Sequence, residues 1–464
     1  MADSDSSGAF RLMYAVMFCL FCMQRPYDEG FLRNSYALKN NKFFEEENSK
    51  MGKEMWNKLL SDEFNKEIDE WADSRNALRG DKAFPNACGN VPNPWGPPRE
   101  KGSNSFYATF NELVTKDLIR HFCDAVGDKN PLYRWDEYAK FTRYGGIIAP
   151  PGILICIGEA GAGMGKVAPG FGRSLAGGST WTWLKVIRPG DTFHVMGTDL
   201  GVNEKKPHQE KPYRLFQSVY RTTYFNQNDE VVAYRDRTRM NIVAESREKT
   251  ESAFEYRPRY RYTQEELDRI HQGYADEEKN RRGAKTRFWE DVEVGEEIFP
   301  VVAGPLTVLD SHVMMGAMGQ QSAFNINWDM LNGNVETHGW VDPETNAPRW
   351  RAESHLTDAC GRATGLKMGG YGYHGQSEAL MQKAIQNWMG DDGFLKVQQC
   401  QTRRPNWHGD TTWVKGNVVG KRHEGDEYLV DIDMHCENQL GTIHQTSKAV
   451  VRLPARAETY VPGR

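Results

Sequence analysis

No apolar run in this 464-residue chain reaches the ~20 residues that a helix needs to cross a bilayer. The candidate, Leu12 to Met23, is too short, and Asp3 and Asp5 precede it where a signal peptide would carry positive charge. No dense cysteine framework is present. Eight cysteines are scattered along the chain, which suits a reducing compartment and a cytoplasmic location. The pair Cys19 and Cys22 has CxxC spacing but lies in the apolar run, with no second pair to complete a zinc site. The twelve histidines show no HxH or HExxH spacing, so no metal cofactor is expected. The net charge of −5 argues against nucleic acid as a partner. Gly158 to Lys166 is rich in glycine but lacks phosphate-loop spacing, and Val167 stands where the hydroxyl should be.

What remains is a chain with 39% hydrophobic and 26% charged residues, long enough for two or three cored domains. Trp56, Leu59, Leu60, Phe64, Ile68 and Trp71 recur at helical spacing, so residues 54–77 read as an amphipathic helix. Asn86 to Gly102, rich in Pro, Gly and Asn, reads as a linker or lid. The stretch Asp124 to Leu154 organises the rest. Gly127 to Tyr133 (GDKNPLY) is turn chemistry, Asp136 to Lys140 suits a short helical turn, and Gly145 to Gly152 (GGIIAPPG) is a bend leading into an apolar helix. After the glycine-rich loop the period changes to two. Strands are expected at 180–187, 193–200, 213–224 and 231–243. Thr263 to Glu266 is a capping-box signature for a bridging helix. Arg281, Arg282 and Lys285 then read as a solvated linker, or as a contact for a ligand phosphate.

The plan then repeats. Arg404 to Thr411 parallels Arg188 to Thr192, and Glu437 to Leu453 parallels Phe225 to Val243. A second central helix is expected over Ala379–Met389, ended by Gly390 to Gly393. The expected fold is α+β, a tandem of two antiparallel sheets that each wrap a central helix. The expected division is 1–102 (extension and helical segment), 103–245 (first repeat), 246–287 (linker helix) and 288–456 (second repeat).

Asp128, Asn130, Pro131, Ala139, Lys140 and then Ala149-Pro150-Pro151 follow an order and spacing that resembles MaoC-like, hot-dog-fold (R)-specific enoyl-CoA hydratases. Their pattern runs D-x-N-P-x-H, A-R, then A-H-G. The resemblance implies a double hot dog whose first repeat is the N-terminal dehydratase type. It also implies a reaction that adds water to a trans-2-enoyl-CoA or removes it from a (3R)-3-hydroxyacyl-CoA, with the substrate carried as a CoA thioester and no other cofactor. Two departures stand out in the first repeat. Tyr133 occupies the place of the catalytic His, and a phenol is a poor base at neutral pH. Pro151 occupies the place of the Gly whose N–H binds the thioester oxygen, and proline has no N–H.

In the second repeat, Arg362-Ala-Thr-Gly-Leu366 resembles the family's A-R-x-x-G-L, which places His355 where the catalytic His belongs. Tyr373-His374-Gly375 then stands for A-H-G, with Gly375 as the oxyanion donor. The acid is unmatched here. Trp350 holds its position, Glu353, Asp358 and Asp342 are nearby, and Asn325 to Arg351 reads as an insertion. The expected site is therefore His355, Gly375 and Asp128 for chemistry, with Tyr133, Asn130, His374 and Tyr373 against substrate. Trp181, Trp183, Trp388, Tyr371 and Tyr373 suit core packing first and a wide pocket for a bulky acyl group second. Three functions fit: a hydratase or dehydratase of acyl-CoA, a non-catalytic acyl-binding partner of a separate hot-dog subunit, and a hot-dog thioesterase. A homodimer is also compatible with the sequence.

Overall fold

Long stretches of alternating polar and apolar residues give this chain one large antiparallel sheet. The computed structural model describes residues 59–80, 82–83, 111–158, 168–205, 211–246, 249, 256–319, 339–363 and 366–456. The apolar run at 12–23, the CxxC at 19–22, the linker at 86–102, nearly all of the glycine-rich loop at 158–166, and residues 325–338 of the expected insertion lie outside them.

Ten strands form the sheet. In chain order they are β1 (Lys82–Ala83), β2 (Phe171–Trp183), β3 (His194–Lys205), β4 (Arg214–Phe225), β5 (Val231–Ala244), β6 (Glu297–Ala303), then β9 (Phe394–Thr402), β10 (Thr412–Glu424), β11 (Glu427–Asn438) and β12 (Ile443–Arg452). A separate hairpin pairs β7 (Gly339–Val341) with β8 (Pro348–Trp350). The sheet order is β1-β3-β4-β5-β2-β9-β12-β11-β10-β6. Each half therefore contributes five neighbouring strands, and the two halves join edge to edge where β2 meets β9. There Trp181 pairs with Gln398 and Thr182 with Val397. Gly178 makes this join possible. Its φ is +124°, and a Cβ there would lie 2.1 Å from the Cys400 carbonyl oxygen. This is a double hot-dog fold.

The strands alternate as a half-buried sheet should. In β11, Ile432, Met434 and Cys436 face the core while Asp431, Asp433 and His435 are only partly buried. The four expected strands are present, although the first runs from Phe171 to Trp183, so that it starts earlier than expected and residues 184–187 lie outside it.

Helices position the site. α1 (Asp62–Asn76) starts at Ser61, whose hydroxyl accepts the Phe64 N–H at 3.3 Å. Leu60, Phe64, Ile68 and Trp71 are buried with Val202, Phe216 and Val243. Burial of each such side chain contributes roughly 1.5–3 kcal/mol. α1 thus packs against strands of the first half. α2 (Lys116–Ala125) and the short turns α3 (Pro131–Arg134), α4 (Asp136–Ala139) and α5 (Leu154–Ile157) shape the organising loop. α6 (Gln264–Asn280) carries the full Thr263–Glu266 capping box. The residues after it are not a solvated linker: the Arg282 N–H donates to the Asn387 carbonyl at 3.0 Å and its Nε to the Trp388 carbonyl at 3.2 Å. α7 (Val308–Ala317) and α8 (Asp358–Ala363) follow.

The second central helix, α9, spans His374–Met389 and starts five residues before the expected Ala379. Its first turns are buried by polar contacts to the other half, which apolar spacing does not reveal. The Gln376 side chain donates to the Ala125 carbonyl at 3.0 Å, and Glu378 accepts the Trp181 indole N–H at 3.0 Å. Every residue of α9 after His374 is buried. One apolar core runs through both halves, from Phe122, Ile153 and Trp181 to Met381, Val414 and Ile432. Among the described residues no helix is long and apolar enough to cross a membrane.

Candidate functional site

α9 lies between two half-sites, one near each end. The first is built by the organising loop. After α2, Gly127 turns the chain with φ +62°. The Asp128 carboxylate accepts the Asn130 N–H at 2.8 Å, and Asn130 in turn accepts the Leu132 N–H at 3.0 Å, capping α3. Arg134 donates to the Asp128 carbonyl at 2.7 Å. These short-range bonds hold Tyr133 inward, where it is buried. Burial and the nearby Asp128 keep its phenol protonated, far above the ordinary range. Asp128 is itself buried, and desolvation raises its pKa against the opposing pull of Lys383.

The bend at 145–152 closes over this loop. The Ala149 N–H donates to the Ile187 carbonyl at 2.8 Å, and the Trp183 indole N–H donates to the Pro151 carbonyl at 3.1 Å. Between loop, bend and the last turns of α9 lies a small open cavity. Tyr133, Ile148, Pro151, Trp183, Met389 and Asp391 line it. A second opening, bordered by Arg143 and Arg452, shares Tyr144, Lys185, Val186 and Phe394 with it. Asp391 was not singled out in the sequence, because Gly390-Asp-Asp-Gly393 reads only as a helix stop. Its hydrogen-bond partners come from the first half and the bridge. The Tyr138 hydroxyl donates to its Oδ2 at 2.6 Å, and its own N–H donates to the Gly283 carbonyl at 3.0 Å.

The second half-site lies at the start of α9. His355 ends the turn Arg351–His355, and its Nδ1 lies 3.1 Å from the Tyr371 carbonyl oxygen. A carbonyl accepts only, so this contact assigns the ring proton to Nδ1 and leaves Nε2 as the basic nitrogen. Burial, with His408 nearby, lowers its pKa to about 4, so it is neutral at neutral pH. Its ring lies 4.4 Å from that of Tyr371 and 5.5 Å from that of Tyr373. His374 opens α9, its ring 4.7 Å from the Tyr373 ring. Gly375 follows in the first turn, where helix N–H groups are unpaired within the helix. A Cβ on Gly375 would lie 3.0 Å from the Tyr373 ring and 3.5 Å from Ile155 of the first half.

The structure thus brings His355, Tyr373, His374 and Gly375 together. It brings Asp128, Asn130 and Tyr133 together elsewhere. Asp128 faces Lys383, eight residues beyond Gly375 on α9, or about 12 Å along the axis. No carboxylate among the described residues hydrogen-bonds His355. The three neighbouring acids are each held by arginine: Glu353 and Asp342 by Arg349, and Asp358 by Arg259. Instead His408 flanks His355, with its Nε2 3.2 Å from the Ser311 hydroxyl. Only the fold shows this neighbour, since more than fifty residues separate the two histidines. Among the described residues no three acidic, histidine or cysteine side chains are grouped to hold a metal ion.

Residues 101–235 match the family described as FAS1-like, dehydratase domain region. A UPF0336 protein of Thermobifida fusca is 37% identical over 82 residues, which is 17% of this chain and 54% of that protein. A UPF0336 protein of Streptomyces avermitilis is 35% identical over 89 residues, 18% of this chain and 59% of that protein. The chain therefore spans little more than half the length of these relatives. Among solved structures, a MaoC-like dehydratase aligns over 75% of this chain and 97% of its own, at 16% identity and a TM-score of 0.49. A conserved hypothetical protein of Mycobacterium tuberculosis with a double hotdog fold aligns over 81% and 96%, at 12% identity and a TM-score of 0.46.

Proposed function

We propose, for a chain whose residues 101–235 match the FAS1-like dehydratase-region family, that it is a hydro-lyase of acyl thioesters. It interconverts trans-2-enoyl-CoA and (3R)-3-hydroxyacyl-CoA carrying a bulky or unusual acyl group. The observation that carries this reading is the grouping of buried, neutral His355 with Gly375 in the first turn of α9, a base and an oxyanion donor side by side. The small cavity where the Asp128–Tyr133 loop meets the last turns of α9 has mostly apolar walls, which suits an acyl chain.

At the start of α9, neutral His355 takes the proton from water through Nε2, and the Gly375 N–H at the helix N-terminus receives the thioester oxygen as enolate charge builds. Tyr373 and His374 flank the substrate there. Asp128 and Asn130 act by fixing the loop that holds Tyr133. The five described free cysteines are all buried, in keeping with a reducing compartment such as the cytoplasm.

The test is hydration of a panel of trans-2-enoyl-CoA thioesters by the purified chain, followed by loss of the conjugated enoyl absorbance. Turnover of any member supports the reading and identifies the acyl class. Release of free CoA instead would make the protein a thioesterase. A second reading is favoured by Tyr133 and Pro151, which lack the base and the donor that the hydratase pattern places there. It is a non-catalytic acyl-binding partner of another hot-dog subunit. A flat trace with saturable binding of the same thioesters would select it.

A further inference from the structure

We propose that Asp391 is the acid–base residue of the cavity between the two halves, acting on a thioester whose carbonyl oxygen is received by the Tyr133 hydroxyl. The proposal rests on the hydro-lyase reading and makes this half-site a reaction centre in its own right. Asp391 follows Gly390, the cap that ends α9. It is 5% exposed, and it lines the cavity together with Tyr133 and Pro151. Its Oδ2 accepts the Tyr138 hydroxyl at 2.6 Å, while its Oδ1 makes no hydrogen bond among the described residues.

A purely structural role accounts poorly for this carboxylate. It sits at the C-terminus of a helix, where the dipole disfavours negative charge. Burial penalises that charge further, and one oxygen is left without a partner. An asparagine would keep the Tyr138 bond without those costs. A buried carboxylate of raised pKa that lines a cavity and keeps one oxygen unpartnered is a candidate for proton transfer.

The groups that face Asp391 come from three elements. Tyr138, Tyr133 and Tyr144 belong to the first half, Arg281 to the bridge, and Asp392 is its neighbour. Burial is the largest influence and raises its pKa. Asp392 also raises it, whereas Tyr138 and Arg281 lower it. The Tyr133 hydroxyl is the second group. It stays protonated and lines the same cavity as Pro151, so it can donate to a thioester oxygen bound there.

The step balances without any co-reactant. In hydration, the Asp391 carboxylate takes a proton from water as the water oxygen bonds to C3 of the enoyl group. The π pair moves onto C2 and the thioester oxygen, which accepts the Tyr133 hydroxyl bond. The Asp391 carboxylic acid then returns the proton to C2, giving the 3-hydroxyacyl thioester and restoring the carboxylate.

The test compares the full chain with Asp391→Asn and Tyr138→Phe, each in the wild-type and His355→Ala backgrounds, on the enoyl-CoA panel. In the His355→Ala background, Asp391→Asn is expected to remove the remaining hydration by about a hundredfold at an unchanged melting temperature. Tyr138→Phe is expected to move the acidic limb of the pH–rate profile to higher pH, because the lost hydrogen bond favoured the charged carboxylate. An unmoved limb overturns the assignment, and decides it if Asp391→Asn lowers the melting temperature. An unchanged rate on adding Asp391→Asn, or no hydration left in a folded His355→Ala protein, also overturns it. Wild-type protein that hydrates no thioester would overturn the hydro-lyase reading itself and this assignment with it.

Discussion

Lys383 on α9 and Glu277 on the bridging helix α6 form a buried ion pair, Nζ to Oε2 3.1 Å, with side chains 2% and 6% exposed. The same ammonium lies 3.3 Å from the Gly127 carbonyl oxygen of the first half. One cation thus ties together the bridge, the second central helix and the loop that carries Asp128.

Removal of that cation should destabilise the fold. Lys383→Ala leaves Glu277 and Asp128 buried without their positive neighbour, and breaking a buried pair costs about 3–5 kcal/mol. Urea denaturation should show the loss as a lower midpoint. Lys383→Met combined with Glu277→Gln should recover much of it, because no uncompensated charge then remains on α6. A Lys383→Ala midpoint equal to wild type would refute a structural role for the pair.

His355→Ala should lower enoyl-CoA hydration at least about a hundredfold, the ordinary scale for loss of a general base. The fall should appear in kcat rather than in the affinity for the thioester. A rate close to wild type would remove His355 from the chemistry.

Gly152 allows close approach of the two halves. A Cβ there would lie 2.6 Å from the Gln382 side-chain oxygen and 2.7 Å from Phe122 Cζ, both on buried residues. Gly152→Ala should therefore cost about 1–3 kcal/mol through overpacking, read as a lower melting temperature. Gly146→Ala is the control, since nothing lies within 4 Å of its Cβ position.

Acid should weaken the protein through its buried histidines. Burial holds both His355 and His444 near pKa 4, below the ordinary 6.5. As pH falls, the unfolded chain takes up these protons first. The stability that each histidine contributes is complete above pH 6.5 and is lost progressively down to about 4. Asp128 and Asp391 act in the opposite sense, because their raised pKa values let the folded chain bind protons first. His444→Asn should make the melting temperature fall less steeply between pH 6.5 and 4 than in wild type. Parallel curves would count against His444 as a source of that slope.

Some of the site was visible in the residues themselves. The Asp128–Asn130–Leu132 turn and the Thr263–Glu266 box are made by hydrogen bonds spanning two or three residues, so side-chain type at fixed offset is enough to reveal them. Tyr133 and Pro151 could be read as departures because their loop keeps its order and spacing. The start of α9 could not be read in this way. Its first turns are polar, and they are buried by Ala125 and Trp181, some two hundred residues away in the chain.

By itself, then, the sequence determined the repeated plan, the long strands of the first half, the capped bridging helix and the loop that places Tyr133. Each depends on period or on contacts between near neighbours in the chain. Tertiary structure alone decided that Asp128 and His355 belong to different half-sites and that arginines hold the acids near His355. It alone decided that Asp391 shares a cavity with Tyr133. The Tyr138–Asp391 bond joins residues 253 positions apart. Such a pair leaves no trace in local spacing, because it exists only once two sheets have joined at β2 and β9.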